Sequence, residues 1–253
     1  MNSGIEKAQL EIVHDVQIGD WIKDSLAPWE AFSQNPATIG IFMPKGFESY
    51  LLIRHDDPSG VGGSLDSLSK QSLENLEEIL SHFTTTPEDC FHALWDGQGW
   101  MHAGGIVAYK AIKHPELHRF LRPIFRRFRT RRFRGRRPTP IQSLDHLESN
   151  TLPQRIMESE RFKLPNREYL LMRGPLTEAK KIGYSFSGRF DFESPNLLWP
   201  SDRSWLMVTD IQFEFTLIGG SEKLIQFIVS TNLFTVKRFK VTDEIDQLLV
   251  VEY

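Results

Sequence analysis

The chain has 253 residues, of which 40% are hydrophobic and 25% are charged, and its formal net charge is −3. Enough apolar side chains are present for a core, which excludes a chain that is disordered throughout. The sequence has no run of about 18 apolar residues and no signal-peptide pattern, so we expect neither a membrane span nor secretion. The single cysteine, Cys90, excludes an intrachain disulfide, and a cytoplasmic location is expected.

The first sixty residues predict a mixture of helix and strand. Residues 18–33 include a short helix that Pro28 ends. Residues 39–43 and 50–53 are apolar runs separated by a turn, and we expect them to pair as an antiparallel hairpin.

The clearest helix follows a glycine-rich loop at residues 60–63. Its apolar stripe repeats every three or four residues, at Leu73, Leu76, Leu80 and Phe83. Residues 90–95 then read as a strand that enters an Asp-Gly turn.

The last third has the most regular pattern. Residues 169–172 predict a strand, and a short helix is expected around residues 176–181. Residues 211–217 alternate apolar with polar side chains, which indicates a half-buried strand that Gly219 and Gly220 end.

Ser221 is the expected N-cap of a helix over residues 222–230, since its hydroxyl can accept a bond from a free N–H of the first turn. Residues 235–241 alternate again, with Lys and Arg outward, and predict an edge strand.

The stretch from residue 119 to residue 137, here called the arginine segment, contains no acidic residue. It holds ten arginines: Arg119, Arg122, Arg126, Arg127, Arg129, Arg131, Arg132, Arg134, Arg136 and Arg137. The rest of the chain has 20 basic and 33 acidic side chains, so an acidic body of about −13 carries a segment of +10. We assign residues 114–166 to an arm or insertion, and residues 1–113 with 167–253 to one co-folding body.

These patterns together predict an α+β fold. We expect a single domain with a largely antiparallel sheet and three or more packed helices, to which the basic arm is attached.

Two blocks of sequence resemble a known family. Residues 44–50 (PKGFESY) are similar to a P-x-G-F-E-x-Y element, and residues 194–205 (SPNLLWPSDRSW), continuing to Gly219-Gly220-Ser221, are similar to an S-P-N-L-W-W-P-A-D-R-A-W…G-G-S element. Both elements occur in this order in a family of uncharacterised proteins of high-GC Gram-positive bacteria. The resemblance implies a cytosolic bacterial protein with one co-folding body, and it implies no activity. Leu198 stands where the family usually has a second Trp, and Asp210 where it usually has Glu.

The arginine segment predicts contact with a polyanion. Guanidinium groups bind phosphate through paired hydrogen bonds, and aromatic rings such as Phe128 and Phe133 can stack on bases. Nucleic acid, bound without sequence specificity, is the partner we favour. Two alternatives stay open: an anionic membrane surface, and an insertion that lies against the acidic body.

A second candidate is the stretch between the two tryptophans of the LLWPSDRSW motif. A ligand pocket there would be formed by Trp199, Asp202, Arg203, Trp205 and Asp210. The alternative is a structural corner in which Asp202 caps a turn and Arg203 stacks on an indole.

Other chemistry-bearing residues have structural explanations. Cys90 and His92 share a strand face, but a buried cysteine is commonly a small hydrophobic residue. His55 and the two aspartates after it lack the spacing of a metal site and are typical of a turn. We therefore predict no catalytic residue, no metal and no cofactor.

The sequence favours a non-enzymatic cytosolic binding protein whose arm contacts nucleic acid. One alternative is a protein-interaction module, of the immunity or regulatory type, that meets a protein partner through its acidic body. Another is an enzyme with its site at the Trp199–Trp205 corner. The sequence does not determine the oligomeric state.

Overall fold

A computed structural model describes residues 9–29, 37–55, 68–97, 154–165, 167–186, 189–210 and 213–249. The strands in these ranges are β1 (Glu11–Ile12), β2 (Ser49–Arg54), β3 (Cys90–Trp95), β4 (Arg161–Leu164), β5 (Arg167–Gly174), β6 (Gly183–Phe186), β7 (Arg189–Phe192), β8 (Leu197–Pro200), β9 (Leu206–Thr209), β10 (Phe215–Gly220) and β11 (Val236–Arg238). The α-helices are α1 (Asp20–Ser25), α2 (Lys70–Ser81), α3 (Gln154–Met157), α4 (Glu222–Thr231) and α5 (Ile245–Leu249). Short 3-10 helices cover Val16–Gly19, Ile39–Ile41 and Leu176–Lys181.

Nine of the strands form one antiparallel sheet in the order β1-β5-β3-β8-β9-β10-β2-β11. β4 also pairs with β5, so the outer edge of this long strand is shared between β4 at one end and β1 at the other. β6 and β7 form a separate two-stranded sheet. The expected α+β fold with a largely antiparallel sheet is confirmed, while the arginine segment lies outside the described residues.

Both faces of the large sheet are buried, because successive side chains of its strands point to opposite sides. In β8, Leu197 and Trp199 enter one apolar cluster and Leu198 enters the other. We call the side of Trp199 face one and the side of Leu198 face two. Strands of this kind are apolar at nearly every position rather than at every second one.

Different helices cover the two faces. On face one, Ile22 of α1 and Leu248 of α5 pack among many aromatic rings. On face two, the apolar sides of α2 and α4 contribute Leu76, Leu80 and Ile228. The 3-10 helix Leu176–Lys181 packs beside α2 and completes this layer.

Several elements confirm the sequence predictions. α2 carries the expected apolar stripe, β3 covers residues 90–95, and the 3-10 helix after β5 has the predicted bounds. The predicted edge strand is β11, whose Lys237 and Arg238 are exposed at the end of the sheet.

The predicted hairpin of residues 39–43 with 50–53 is wrong. Residues Ile39–Ile41 form a 3-10 helix, because their backbone N–H groups donate to the carbonyls of Asp243 and Val241. β2 instead pairs with β10 and β11. Partners distant in the sequence thus determine a conformation that the local apolar run did not indicate.

The strand predicted over residues 211–217 continues through the two glycines, and residues 211 and 212 lie outside the described residues. β10 runs from Phe215 to Gly220, and Thr216 between its apolar neighbours is also buried, so the strand is not half-buried. Gly219 pairs with Tyr50 and Leu206 within the sheet, and its missing side chain leaves room for the ring of Phe47, with which a Cβ would collide.

The structure also differs from the sequence interpretation after residue 153. Residues 154–164, which we assigned to the arm, form α3 and β4, and Phe162 of β4 is buried on face one. The sequence pattern did not indicate β4, because these residues are mostly polar and Phe162 is the one large aromatic side chain that the strand buries.

Two serines cap the long helices, and Ser221 was predicted to do so. Its side chain accepts a hydrogen bond from the Leu224 N–H at 3.2 Å, and Ser69 accepts one from the Ser72 N–H at 3.0 Å.

We expect Ser221→Ala to lower the free energy of unfolding by about 1 kcal/mol, because an N–H of the first turn of α4 loses its acceptor. Ser221→Thr keeps the acceptor and is the matched control. Urea unfolding measures both, and an equal loss in the two variants would show that the cap is not the cause.

Candidate functional site

Polar side chains collect at the two ends of the sheet. At one end, which we call the insertion end, β3 stops just before residues 98–153 and α3 begins just after them. Arg161 of β4 donates from Nε to Asp96 Oδ1 at 2.9 Å. This ion pair connects the two chain segments that flank the insertion.

Arg161 is only 8% exposed, and all of its bonds are internal. Its Nη1 donates to the carbonyl oxygens of Ile156 and Ser159 at 3.1 and 2.7 Å and to the Ser159 hydroxyl at 2.7 Å. A charged donor that satisfies several buried carbonyls holds them more strongly than a neutral one. Arg161 therefore orders the short segment by which the chain returns to the body.

A second buried ion pair lies at the insertion end. Arg167 Nη2 donates to Asp210 Oδ1 at 3.2 Å, and the guanidinium lies over the Trp95 ring. Burial opposes the charge on Arg167, but Asp210 outweighs it and raises the arginine pKa above its ordinary value. Burial, together with the Asp210 charge, raises the pKa of the neighbouring Tyr169.

The cleft beside Arg167 and Asp210 is small. Its free space of about 20 Å³ accommodates about one water molecule. Asn196 on its wall donates to the Thr209 carbonyl at 3.0 Å and accepts from the Trp95 N–H at 2.7 Å. Among the described residues, the enclosed part of the cleft therefore holds about one water molecule.

The opposite end of the sheet, the corner end, carries the turn between β8 and β9. Asp202 Oδ2 accepts bonds from the Thr85 N–H at 2.7 Å and from the Thr84 and Thr85 hydroxyls at 2.8 Å. Its Oδ1 accepts from the Ser204 N–H at 3.0 Å. Partial burial opposes ionisation of Asp202, but these bonds outweigh it and lower the carboxyl pKa.

Arg203, the next residue, points elsewhere. Its backbone φ of 56° lies in the left-handed region, which is uncommon for a residue other than Gly, Asn or Asp. Its guanidinium lies over the Trp21 ring of α1, 5.5 Å from the ring centroid. The carboxylate of Asp202 therefore points toward the loop after α2, and the guanidinium of Arg203 points toward face one.

Two glutamates are buried between face two and its covering layer. Glu77 of α2 accepts from the Lys180 N–H at 3.2 Å and faces its ammonium group. Burial raises the Glu77 pKa to about 7, although Lys180 acts in the opposite direction. Glu178 binds the Lys181 ammonium at 2.6 Å and the Gln9 N–H at 2.7 Å.

Cys90 and His92 lie on face two, as their spacing predicts, and both are fully buried. Burial raises the pKa of the Cys90 thiol to about 12 and lowers the pKa of His92 to about 4. Neither ring nitrogen of His92 makes a hydrogen bond of good geometry with a described residue, although backbone groups of Gly174 and Pro175 lie near the ring and favour its protonated form. At neutral pH both groups are uncharged, which is the opposite of an activated thiolate-imidazolium pair.

The five residues predicted to form a pocket do not lie together. Trp199 is fully buried on face one and Trp205 on face two, where its Nε1 donates to the Leu80 carbonyl at 3.1 Å. Asp202 and Arg203 are at the corner end, and Asp210 is at the insertion end. The twelve arginine and phenylalanine positions predicted to bind nucleic acid lie outside the described residues.

Two further predictions concern metals and membranes. Within the described ranges, no group of three or more His, Cys, Asp and Glu side chains could hold a metal ion. His55, one of the metal candidates, instead bonds to the Thr216 hydroxyl at 2.8 Å. No helix in the same part of the chain combines the length and apolar content that crossing a membrane requires.

Sequence reasoning missed Trp21, Arg161 and Arg167. Trp21 lies within residues 18–33, where a short helix is predicted; Arg161 lies in the stretch assigned to the arm, and Arg167 lies just before the strand predicted over residues 169–172. Each acquires its role from a partner in a distant segment, and a single sequence carries no signal for such pairings.

No protein-family model, no curated protein and no solved structure matches the chain.

We expect Arg161→Ala to lower the free energy of unfolding by about 2–3 kcal/mol, because it removes the guanidinium that pairs with Asp96 and donates to buried carbonyls. The matched control is Lys163→Ala on the same strand. Lys163 pairs with Glu168 at 3.2 Å, but both are well exposed, so its loss should cost at most about 0.5 kcal/mol. Equal losses in chemical denaturation would contradict the role given to Arg161.

The buried Glu77 and His92 should give opposite pH dependence between pH 4.5 and 6.5, the ordinary pKa values of the two groups. Folded Glu77 keeps a proton that the unfolded chain loses, so its contribution to stability falls as pH rises. Folded His92 lacks a proton that the unfolded chain binds, so its contribution rises. Each slope is at most about 1.4 kcal/mol per pH unit.

When either Glu77 or His92 is replaced, the pH dependence of the free energy of unfolding should show the contribution of the group that remains. In Glu77→Gln the stability should rise with pH across this window more steeply than in the wild type, and in His92→Leu it should fall. Urea unfolding at several pH values measures both. Unaltered slopes in both variants would show that neither group titrates as proposed.

Proposed function

We propose that the protein binds nucleic acid without sequence specificity through its arginine segment. The observation that carries this proposal is the separation of charge along the chain. Residues 98–153 contain 12 basic and 3 acidic side chains, whereas the rest of the chain contains 18 basic and 30 acidic ones. Ten arginines without an intervening acid form the charge pattern that binds a phosphate backbone.

The ion pairs of the body support this assignment. Four of its arginines are bound to carboxylates of the same chain, as the following pairs show: Arg161 with Asp96, Arg167 with Asp210, Arg173 with Asp89 and Arg238 with Glu222. A guanidinium that already binds a carboxylate has fewer donors for a phosphate. The arginine segment is therefore the part of the chain best suited to a polyanion.

The phenylalanines of the segment suggest which nucleic acid it prefers. Phe128 and Phe133 are interleaved with the arginines, and aromatic rings stack on unpaired bases. Because bases in a duplex are already stacked on one another, we expect tighter binding to a single strand.

We expect the quadruple variant Arg126→Ala, Arg127→Ala, Arg131→Ala, Arg132→Ala to lose affinity for a fluorescent duplex and for a single strand. On the duplex, the slope of log K against log salt should become shallower by about 0.9 for each phosphate that the variant no longer binds. The matched control changes four exposed body lysines to alanine, namely Lys163, Lys223, Lys237 and Lys240. It alters the net charge by the same amount.

An equal loss of affinity in the two quadruple variants would indicate attraction by overall charge and would contradict the proposal. Unchanged affinity in the arginine variant would remove it. Phe128→Ala with Phe133→Ala separates stacking from charge. It should weaken single-strand binding by about 1–3 kcal/mol for each base that no longer stacks on a ring, and it should leave duplex binding nearly unchanged.

The excess of acidic residues in the body favours a second candidate, a module that neutralises a basic protein partner. The same arginine variant distinguishes the two functions. A partner that is captured equally by wild type and variant, while the variant fails to bind nucleic acid, would assign partner binding to the body.

A further inference from the structure

Arg203 differs from the four paired arginines of the body. Its side chain is exposed and rests on Trp21, and it makes no ion pair or side-chain hydrogen bond with any described residue. The adjacent carboxylate of Asp202 does not neutralise it directly, because that group is occupied by Thr84, Thr85 and Ser204. Its guanidinium donors are therefore open to a ligand.

The platform under Arg203 is held rigidly. Trp21 meets Phe47 and Trp199 edge to face, with ring centroids 6.1 and 6.4 Å apart. Trp199 is in turn stacked on Phe91 at 5.2 Å. A guanidinium that lies on a fixed indole loses little side-chain entropy when it binds an anion.

The backbone of the corner is also fixed. The Arg203 N–H donates to the Pro200 carbonyl at 2.9 Å, and the Ser201 N–H donates to the Asp89 carbonyl at 2.8 Å. Asn or Gly at position 203 would adopt the left-handed φ more easily than Arg. An arginine in this conformation costs stability, which points to a use for its side chain.

An unsatisfied donor lies in the same platform. The indole Nε1 of Trp21 is buried and has no hydrogen-bond partner among the described residues. A buried N–H without an acceptor is destabilising. The Trp21 N–H belongs to the ring on which the Arg203 guanidinium rests, so its resonance can report an anion that binds the guanidinium.

We infer that the Arg203–Trp21 corner binds an oxyanion, a phosphate or a carboxylate group of a small ligand. The planar guanidinium matches the spacing of two oxygens on either group. This site is at the corner end of the sheet and is independent of the arginine segment.

The experiment follows the indole N–H resonance of Trp21 by proton–nitrogen NMR while inorganic phosphate is added to the full chain. Trp21→Phe assigns the resonance. Sodium acetate tests a carboxylate, and sodium chloride at equal ionic strength tests simple screening. We expect a saturable shift with a dissociation constant on the order of millimolar for phosphate, acetate or both.

Two variants test the residue itself. Arg203→Asn should fold at least as stably as the wild type, because it relieves the backbone, and should lose the saturable shift. Arg203→Lys keeps the charge without the planar fork and should bind at least about tenfold more weakly. The quadruple variant of the arginine segment should retain the shift, which separates this site from nucleic-acid binding.

Three results would overturn the inference. They are a shift that chloride reproduces, a shift that persists in Arg203→Asn, and the absence of any saturable shift with both oxyanions. A response to phosphate alone would assign the site to phosphate compounds, and a response to acetate alone to carboxylates.

Discussion

Both faces of the central sheet are buried, and this constraint determines where charged side chains can lie in the described part of the chain. Side chains of β8 and β9 enter an apolar cluster whichever way they point. Charged groups in such strands would have to be desolvated, which is costly without partners. The ionic side chains are therefore concentrated where the strands end, and the polar clusters of the insertion end and the corner end follow from this.

The two ends of the sheet have different chemistry as a result. At the insertion end, Arg161 and Arg167 are buried and each binds a carboxylate, so this end is closed and fixes the chain on both sides of residues 98–153. At the corner end, Asp202 satisfies its own turn and leaves Arg203 exposed on Trp21. The corner end also contains a neutralised arginine, Arg173 with Asp89, but the guanidinium of Arg203 has no carboxylate partner among the described residues and can bind a ligand.

The parts of the fold that the sequence predicted are those determined by local chemistry. The stripe of α2 and the serine before α4 act within a few residues of themselves, so a pattern of three or four positions is enough to identify them. The 3-10 helix at Ile39–Ile41 and the strand β4 depend on carbonyls and on an edge supplied from far along the chain. Apolar content alone could not select those partners.

The candidate site divides in the same way. The motif around Asp202 and Arg203 was visible as an unusual composition, and its position at a corner was one of the interpretations that this composition allowed. The indole that completes it comes from α1 and not from Trp199 or Trp205, which alternation sends to opposite faces of the sheet. Trp199, one residue before the end of β8, and Trp205, just before β9, enter different cores, so they cannot present both rings to one ligand. The exposed guanidinium of Arg203 therefore rests on neither Trp199 nor Trp205. It lies over the ring of Trp21, a residue of α1 at the edge of face one.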